Sequence, residues 1–277
     1  MQLSIQHTTQ YSYSHPLNYS IQQLRLTPHD GFGQRVKNWA ISVNGQLSQH
    51  FDTYGNVVHT MVLDGNHSEI KLIAKGEVET GLPMVANQER LPLTIFLRHT
   101  ALTEVDAQIR DFATPLGPLK TIADLEKLSA AIIERVPYVK GATGVYTTAP
   151  QAFEASTGVC QDHAHIFIAC CRSLGVPARY VSGYLFTDDG HLLESHAWAD
   201  AWLNDIGWVS VDVSNRCLAD AAHVRLATGL DYHGACPVSG VRIGGGMETM
   251  SVGVNVWQLG ADAKTLDIKK QIEQIQQ

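Results

Sequence analysis

The hydrophobic period of this chain changes once, near residues 81–95, and that change limits the folds open to it. Before it, the runs "LSIQHTTQYSY", "IQQLRLT", "VKNWAISV", "VVHTMVL" and "IKLIAKGEVE" alternate apolar and polar residues and are rich in Val, Ile, Thr and Tyr. Turn signals separate them at Pro28-His29-Asp30-Gly31, Tyr54-Gly55-Asn56 and Asp64-Gly65-Asn66. Short antiparallel strands at that spacing predict an all-β, sandwich-like accessory domain over residues 1–90. Beyond the loop-like "GLPMVANQERLPL" the period becomes helical. Thr103 and Asp106 resemble a capping pair, and Ile122, Leu125, Leu128 and Ile132 trace one face of a second helix. The expected fold class is therefore α+β: residues 1–90, a core over 91–260 that ends in a β segment, and a polar tail over 261–277.

Charge and composition exclude several function classes. The 20 Lys and Arg against 27 Asp and Glu give a formal charge of -7, and no basic or basic-aromatic stripe breaks that balance, so no nucleic-acid partner is expected. The start, "MQLSIQHTTQYSYSHPL", lacks a basic region followed by an apolar block. The longest apolar stretch, residues 164–176, is too short to span a bilayer and carries His165 and Arg172, so no membrane partner is expected either. Five cysteines are an odd number and too few for a disulfide framework, which fits a reducing cytoplasm. "GGG" at 244–246 has no following helix and Lys, and reads as a turn rather than a phosphate cradle. No cofactor-binding motif is read.

The chemistry concentrates in "STGVCQDHAH", residues 156–165. With Ser156 or Thr157 as the cap, Cys160 falls in the first turn of a helix that Gly175 and Pro177 end, and Cys160, Ala164, Phe167, Cys171 and Leu174 share its core-facing side. The positive end of the helix dipole favours a thiolate there. Asp162 opposes it, so a nearby imidazolium is needed. Cys170 and Cys171, deep in the helix, read as small buried hydrophobes.

Two strand-like runs supply the imidazolium. "HAWADAWL" places His196, Trp198, Asp200 and Trp202 on one face, and after the turn "NDIG" the run "WVSVDV" does the same for Trp208, Ser210 and Asp212. In a hairpin of these two runs His196 and Asp212 come out opposite or diagonal. Cys160, His196 and Asp212 then make a nucleophile, a base and an orienting carboxylate. The three tryptophans read as packing walls, and His165 as a hydrogen-bonded core residue. A zinc site from Cys160, His163, His165 and His196 is a weaker reading, because His163 and His165 lie about 200° apart around a helix.

The segments "GVCQDHAHIFIACCRSLGVPARYVSGYL" and "SHAWADAWLNDIGWVSVDVSN" resemble the bacterial transglutaminase-like proteins, a group often described as cysteine proteases. "LSIQHTTQYSYSHPL", "LRLTPHDGFGQRV" and "DTYGN" are similar to the accessory β-domain of the same group, and "HVRLATGLDYHGACPVSGVRIGGG" to its carboxy-terminal segment. The resemblance implies a papain-like α+β core, thiol chemistry on amides, and catalytic roles for Cys160, His196 and Asp212. The expected partner is a peptide or protein amide substrate. Hydrolysis through an S-acyl enzyme is the leading outcome, with protein-glutamine transamidation and a non-catalytic binding module as alternatives. The backbone N–H of Cys160 offers one oxyanion donor, and Tyr138, Tyr146 and Gln161 are candidates for the second. The chain departs from the group at His163, where Phe is commoner, at Asp200, where Glu is, and around Leu230.

Overall fold

A computed structural model describes residues 1–84, 89, 91–187 and 195–260, so the expected polar tail lies outside the described residues. Two very long strands, β1 (Gln2–Thr27) and β4 (Val57–Thr80), run antiparallel and form the spine of the first sheet. The sequence suggested several shorter strands here. The turn-forming residues around Pro16 and Asp64-Gly65-Asn66 fall opposite one another, where the ladder slips register between Ser12 and Leu17 and again at Tyr19. A shared irregularity of this kind bends a strand pair without ending it. Strands β2 (Gln34–Val43) and β3 (Gln46–Phe51) pair with successive halves of β4.

The last two strands correct the expected organisation. Residues 238–258, expected to close the core region, form β10 (Val238–Gly244) and β11 (Glu248–Gln258), and both pair with β1. They cover the edge of β1 that β4 leaves open, and Val238, Val254 and Val256 add apolar surface to the cluster around Leu3, Leu24, Leu63 and Leu72. Between β10 and β11, Gly244, Gly245 and Gly246 all have positive φ, so the triple glycine is a turn.

The second sheet is antiparallel in the order β8-β7-β6-β5-β9, from β5 (Ala178–Leu185), β6 (His196–Leu203), β7 (Gly207–Asp212), β8 (Cys217–Leu218) and β9 (His223–Gly229). Helices α1 (Ala107–Ala113), α2 (Ile122–Arg135), α3 (Ala149–Ala155) and α4 (Cys160–Ser173) share one hydrophobic cluster with its inner face. The alternation expected in "HAWADAWL" is seen: Ala197, Ala199, Ala201 and Leu203 lie in that cluster, and three alanines leave room for α4 to pack closely. No described helix is long and apolar enough to cross a membrane.

The start of α1 differs from its sequence reading. Asp106 itself caps α1, accepting from Ile109 N at 2.8 Å, while Thr103 takes the Arg172 guanidinium at 2.7 Å. Helix α2 buries Leu125, Leu128 and Ile132 of its expected face, and Thr121 and Asp124 form a reciprocal cap at its start. Helix α4 is buried on every side from Asp162 to Arg172, because α1, α2 and α3 cover the faces that the sheet does not.

The opposite face of the second sheet meets the first one, since Tyr184, Val224 and Leu226 belong to the same cluster as Leu3 and Leu24. Strand β9 is an edge, and two side-chain amides of the first sheet, one opening β2 and one just before β4, pair with it. Gln34 accepts from Arg225 N at 2.8 Å and donates to Arg225 O at 2.9 Å, and Asn56 makes the equivalent pair with Thr228 at 2.8 and 2.7 Å. Each carboxamide acts as one residue of a missing neighbouring strand.

Candidate active site

Cys160 opens α4, but the residue at the cap is Val159 rather than Ser156 or Thr157. Ser156 instead ends α3 with φ of 52°. Asp162 supplies the missing cap: its Oδ2 accepts from Val159 N at 2.8 Å and from Thr143 Oγ1 at 2.6 Å. Gly158 permits this, since a Cβ there would stand 2.8 Å from the Asp162 Cβ. The Asp162 charge is thus turned onto two donors. Burial nevertheless raises its pKa, in spite of the bonds from Thr143 and Val159. The loop before α4 is tied to the same point, with Val139 N donating to Gly158 O at 2.8 Å and Gln161 Nε2 to Val145 O at 3.3 Å.

The structure brings Cys160, His196 and Asp212 together. Ala199 pairs with Val211, so Trp198 stands opposite Asp212 and His196 is its diagonal neighbour. His196 Nε2 lies 2.7 Å from Asp212 Oδ2, and Cys160 is near enough to the imidazole to help hold its proton. Burial alone would lower the His196 pKa. The bonds to Asp212 and Cys160, with their charges, outweigh it and raise the value to about 10. For Asp212 burial pulls upward, yet the bonds from His196, His223 and Asn215 hold it well below the ordinary carboxylate range.

Two residues that sequence reasoning missed stand on this carboxylate. Asn215 donates to Oδ2 from its side chain at 2.7 Å and to Oδ1 from its backbone at 3.2 Å, while His223 Nε2 lies 3.0 Å from Oδ2. Asn215 was within reach, because "DVSN" continues three residues past Asp212, the spacing at which a carboxylate caps a backbone N–H as it does at a helix start. His223 was not, since β9 enters the sheet three strands away from β7. His196, Asp212 and His223 each offer a metal-type ligand atom within 4.8 Å of the other two. Both imidazoles, however, address the same oxygen at hydrogen-bond length, which suits protons better than an ion about 2.0 Å from each nitrogen.

The remaining candidates separate. His163 bonds the Val136 carbonyl from Nε2 and Ser214 Oγ from Nδ1, both at 2.8 Å, and so anchors the residue next to Asn215. His165 accepts from Tyr232 N at 3.1 Å; burial lowers its pKa to about 3. These two histidines do not converge on Cys160 and His196. Burial pushes the Cys170 thiol up to about 12 and holds the Cys171 thiol well above its ordinary value. Gln161 spends its amide on Val145; the Tyr138 ring lies 6.0 Å from that of His163, and the largely exposed Tyr146 ring 6.0 Å from that of His233. Trp208 packs edge-on against Phe96 and Trp202, and Trp198 against His223. Asp200 and Leu230, two departures from the family pattern, face inward: Asp200 is fully buried against Arg179 and Arg225, and the Leu230 carbonyl accepts from Arg172 at 2.7 Å.

Comparison with known proteins agrees with this architecture. An uncharacterized protein of Mycobacterium leprae is 28% identical over 280 residues, covering 93% of this chain and 99% of that one. A protein-glutamine gamma-glutamyltransferase of Pseudomonas aeruginosa is 28% identical over 145 residues, 44% of this chain and 21% of its own. A crystal structure from Cytophaga hutchinsonii, whose assignment as a cysteine protease is provisional, superposes with a TM-score of 0.77 at 20% identity, over 95% of this chain and 92% of that one. Residues 110–213 match the transglutaminase-like superfamily and residues 3–79 the bacterial transglutaminase-like N-terminal region, so the chain carries a transglutaminase-like core behind that N-terminal region.

Proposed function

We propose that this protein is a thiol-dependent acyl-transfer enzyme acting on amide bonds, with Cys160 as nucleophile, His196 as base and then acid, and Asp212 as the group that orients and charges His196. The observation that carries this reading is the His196 imidazole, bonded to a buried carboxylate at 2.7 Å and held protonated by that carboxylate together with its neighbour Cys160. Cys160 gives its proton to the His196 nitrogen not used by Asp212. The resulting thiolate attacks the amide carbonyl, whose developing oxyanion meets the backbone N–H of Cys160, a first-turn donor with no intrahelical partner. His196 protonates the departing amine, the C–N bond breaks, and an S-acyl enzyme remains.

Water then releases the acid. Partial exposure of Cys160 supports hydrolysis as the main outcome, because water can reach the thioester. The similarity to the Pseudomonas aeruginosa glutamyltransferase supports a second reading, release by a primary amine.

Iodoacetamide labelling across pH tests the nucleophile. Cys160 should react selectively near neutral pH, and C160A should remove that reaction; equal labelling of Cys160, Cys170, Cys171, Cys217 and Cys236 would sink the assignment. A mixed library of peptides and glutamine amides, assayed with and without added amine, then separates hydrolysis from transamidation by its products.

A further inference from the structure

Asp212 is fully buried, yet three side chains share its Oδ2: His196 and Asn215 at 2.7 Å and His223 at 3.0 Å. Of the two imidazoles, His196 is the neighbour of Cys160. The other is itself held from behind. Asp220 N donates to His223 Nδ1 at 3.1 Å, its Oδ1 lies at the same distance, and His223 N donates to Asp220 O at 3.1 Å. The Trp198 ring lies edge-on to His223 with centroids 5.3 Å apart. Gly183 makes this packing possible, because a Cβ there would run into the Val224 carbonyl and stand 2.5 Å from the Trp198 ring.

We propose that His223 is a positioning residue of the thiol centre, a second imidazole that fixes the Asp212 carboxylate so that His196 is free to exchange its proton. The inference rests on the reading of Cys160, His196 and Asp212 as a working triad. The tautomer follows from the neighbours. A neutral His223 that accepts the Asp220 N–H at Nδ1 carries its proton on Nε2, facing Asp212. A charged His223 donates from Nδ1 to the Asp220 carboxylate and again carries a proton on Nε2. The remaining form, with a bare Nε2, would set a lone pair against a carboxylate 3.0 Å away. In both favourable forms the bond to Asp212 is donated by His223 and stabilises the carboxylate as an anion. His223 also begins β9, whose outer edge is paired with Gln34 and Asn56, so the first sheet holds the strand that presents this imidazole.

The titratable groups facing this arrangement are His196 on β6, Cys217 on β8, Cys160 and His163 on α4, and Asp220 beside His223. Losing the His223 donor should let Asp212 take a proton at higher pH and disengage His196 earlier on acidification. In H223F the acid limb of the Cys160 alkylation rate should move up by about one pH unit, the size expected for one hydrogen bond to a charged group. H223Q, which restores a donor near the Nε2 position, should bring the limb back toward wild type. An H223F limb superimposed on wild type, or H223Q no closer to wild type than H223F, would overturn the inference, and a merely structural role would lower the folded fraction without moving the limb. Nitrogen-15 NMR of the wild-type histidines needs no variant: His223 Nε2 should be protonated throughout the active range, and a bare Nε2 would overturn the inference. Failure of the triad reading itself would appear separately, as unselective labelling of the wild-type thiols.

Discussion

Two buried aspartates on neighbouring strands, Asp200 on β6 and Asp212 on β7, show how one side chain is put to two uses. Both are inaccessible to solvent and both are held below the ordinary carboxylate range against the upward pull of burial. Asp200 receives Arg225 through both Nη atoms at 2.8 Å, Arg179 Nε at 2.8 Å and Ser210 Oγ at 2.7 Å. Guanidinium groups stay charged, so this cluster has one protonation state and serves as a fastening between strands and, through Arg225, to the first sheet. The donors on Asp212 are two imidazoles and an amide. Imidazoles, unlike guanidinium groups, can pass a proton on, so in the proposed reading the same buried carboxylate becomes part of a proton-transfer device. The donor set, not the burial, separates structural from chemical use.

The strongest test of that contrast is a pair of isosteric changes. D212N should lower any amide turnover by roughly 10⁴-fold, equivalent to about 5.5 kcal/mol of barrier, since the orienting charge is lost while the shape is kept. Its melting temperature should move much less than that of D200N. D200N leaves two buried arginines facing a neutral amide and should cost about 3–5 kcal/mol of stability in chemical denaturation, while Cys160 in the folded fraction keeps its selective labelling. A reversal, with D200N silencing the thiol and D212N unfolding the chain, would remove the distinction.

How much of this was readable from residues depends on where the information sits. The placement of Cys160 at a helix start and of His196 beside Asp212 was legible because a helix start and a hairpin are local, and the parity of two alternating runs already limited His196 and Asp212 to opposite or diagonal positions. The length of β1 and β4 was not, since turn-type residues near Pro16 and Gly65 end strands or bend them according to what lies opposite. The attachment of 238–258 to β1 is a contact between the two ends of the chain, and nothing local in "VSGVRIG" names its partner. His223 was hidden for the same reason. Arg225 offered a hint, because a charged residue inside the apolar run "HVRLATG" needs a buried acid, and Asp200 was the unexplained one.

Acid and base should dissect the two sites with opposite signs. The Asp200 pKa is lowered from 3.8 to about 2, so its contribution to stability is complete above about pH 4 and is lost as pH falls through 2, amounting to about 2 kcal/mol. The His196 pKa is raised from 6.5 to about 10, so its contribution is complete below pH 6.5 and is lost as pH rises through 10. Denaturation midpoints across pH should therefore show an acid slope that D200N reduces and an alkaline slope that D212N removes. An alkaline slope unchanged in D212N would mean that the carboxylate is not what raises His196.

The smallest expected effect tests whether the first sheet supports both aspartates at once. Gln34 pairs with the backbone of Arg225, two residues after His223, so the same amide stands behind the arginine on Asp200 and the imidazole on Asp212. Q34A leaves Arg225 N and O without that partner inside a buried edge and should cost about 1–3 kcal/mol. The Asp200 cluster should tolerate it, because two parallel bonds from Arg225 and a third from Arg179 hold the carboxylate without help from the edge. In the Asp212 site the part that depends on β9 is His223, which reaches the carboxylate through a single bond. Q34A should therefore lower the rate of Cys160 alkylation by more than it changes the acid slope of stability. Equal effects on both would mean that the two aspartates answer to the sheet as one rigid unit, and the contrast between them would then lie in their donors alone.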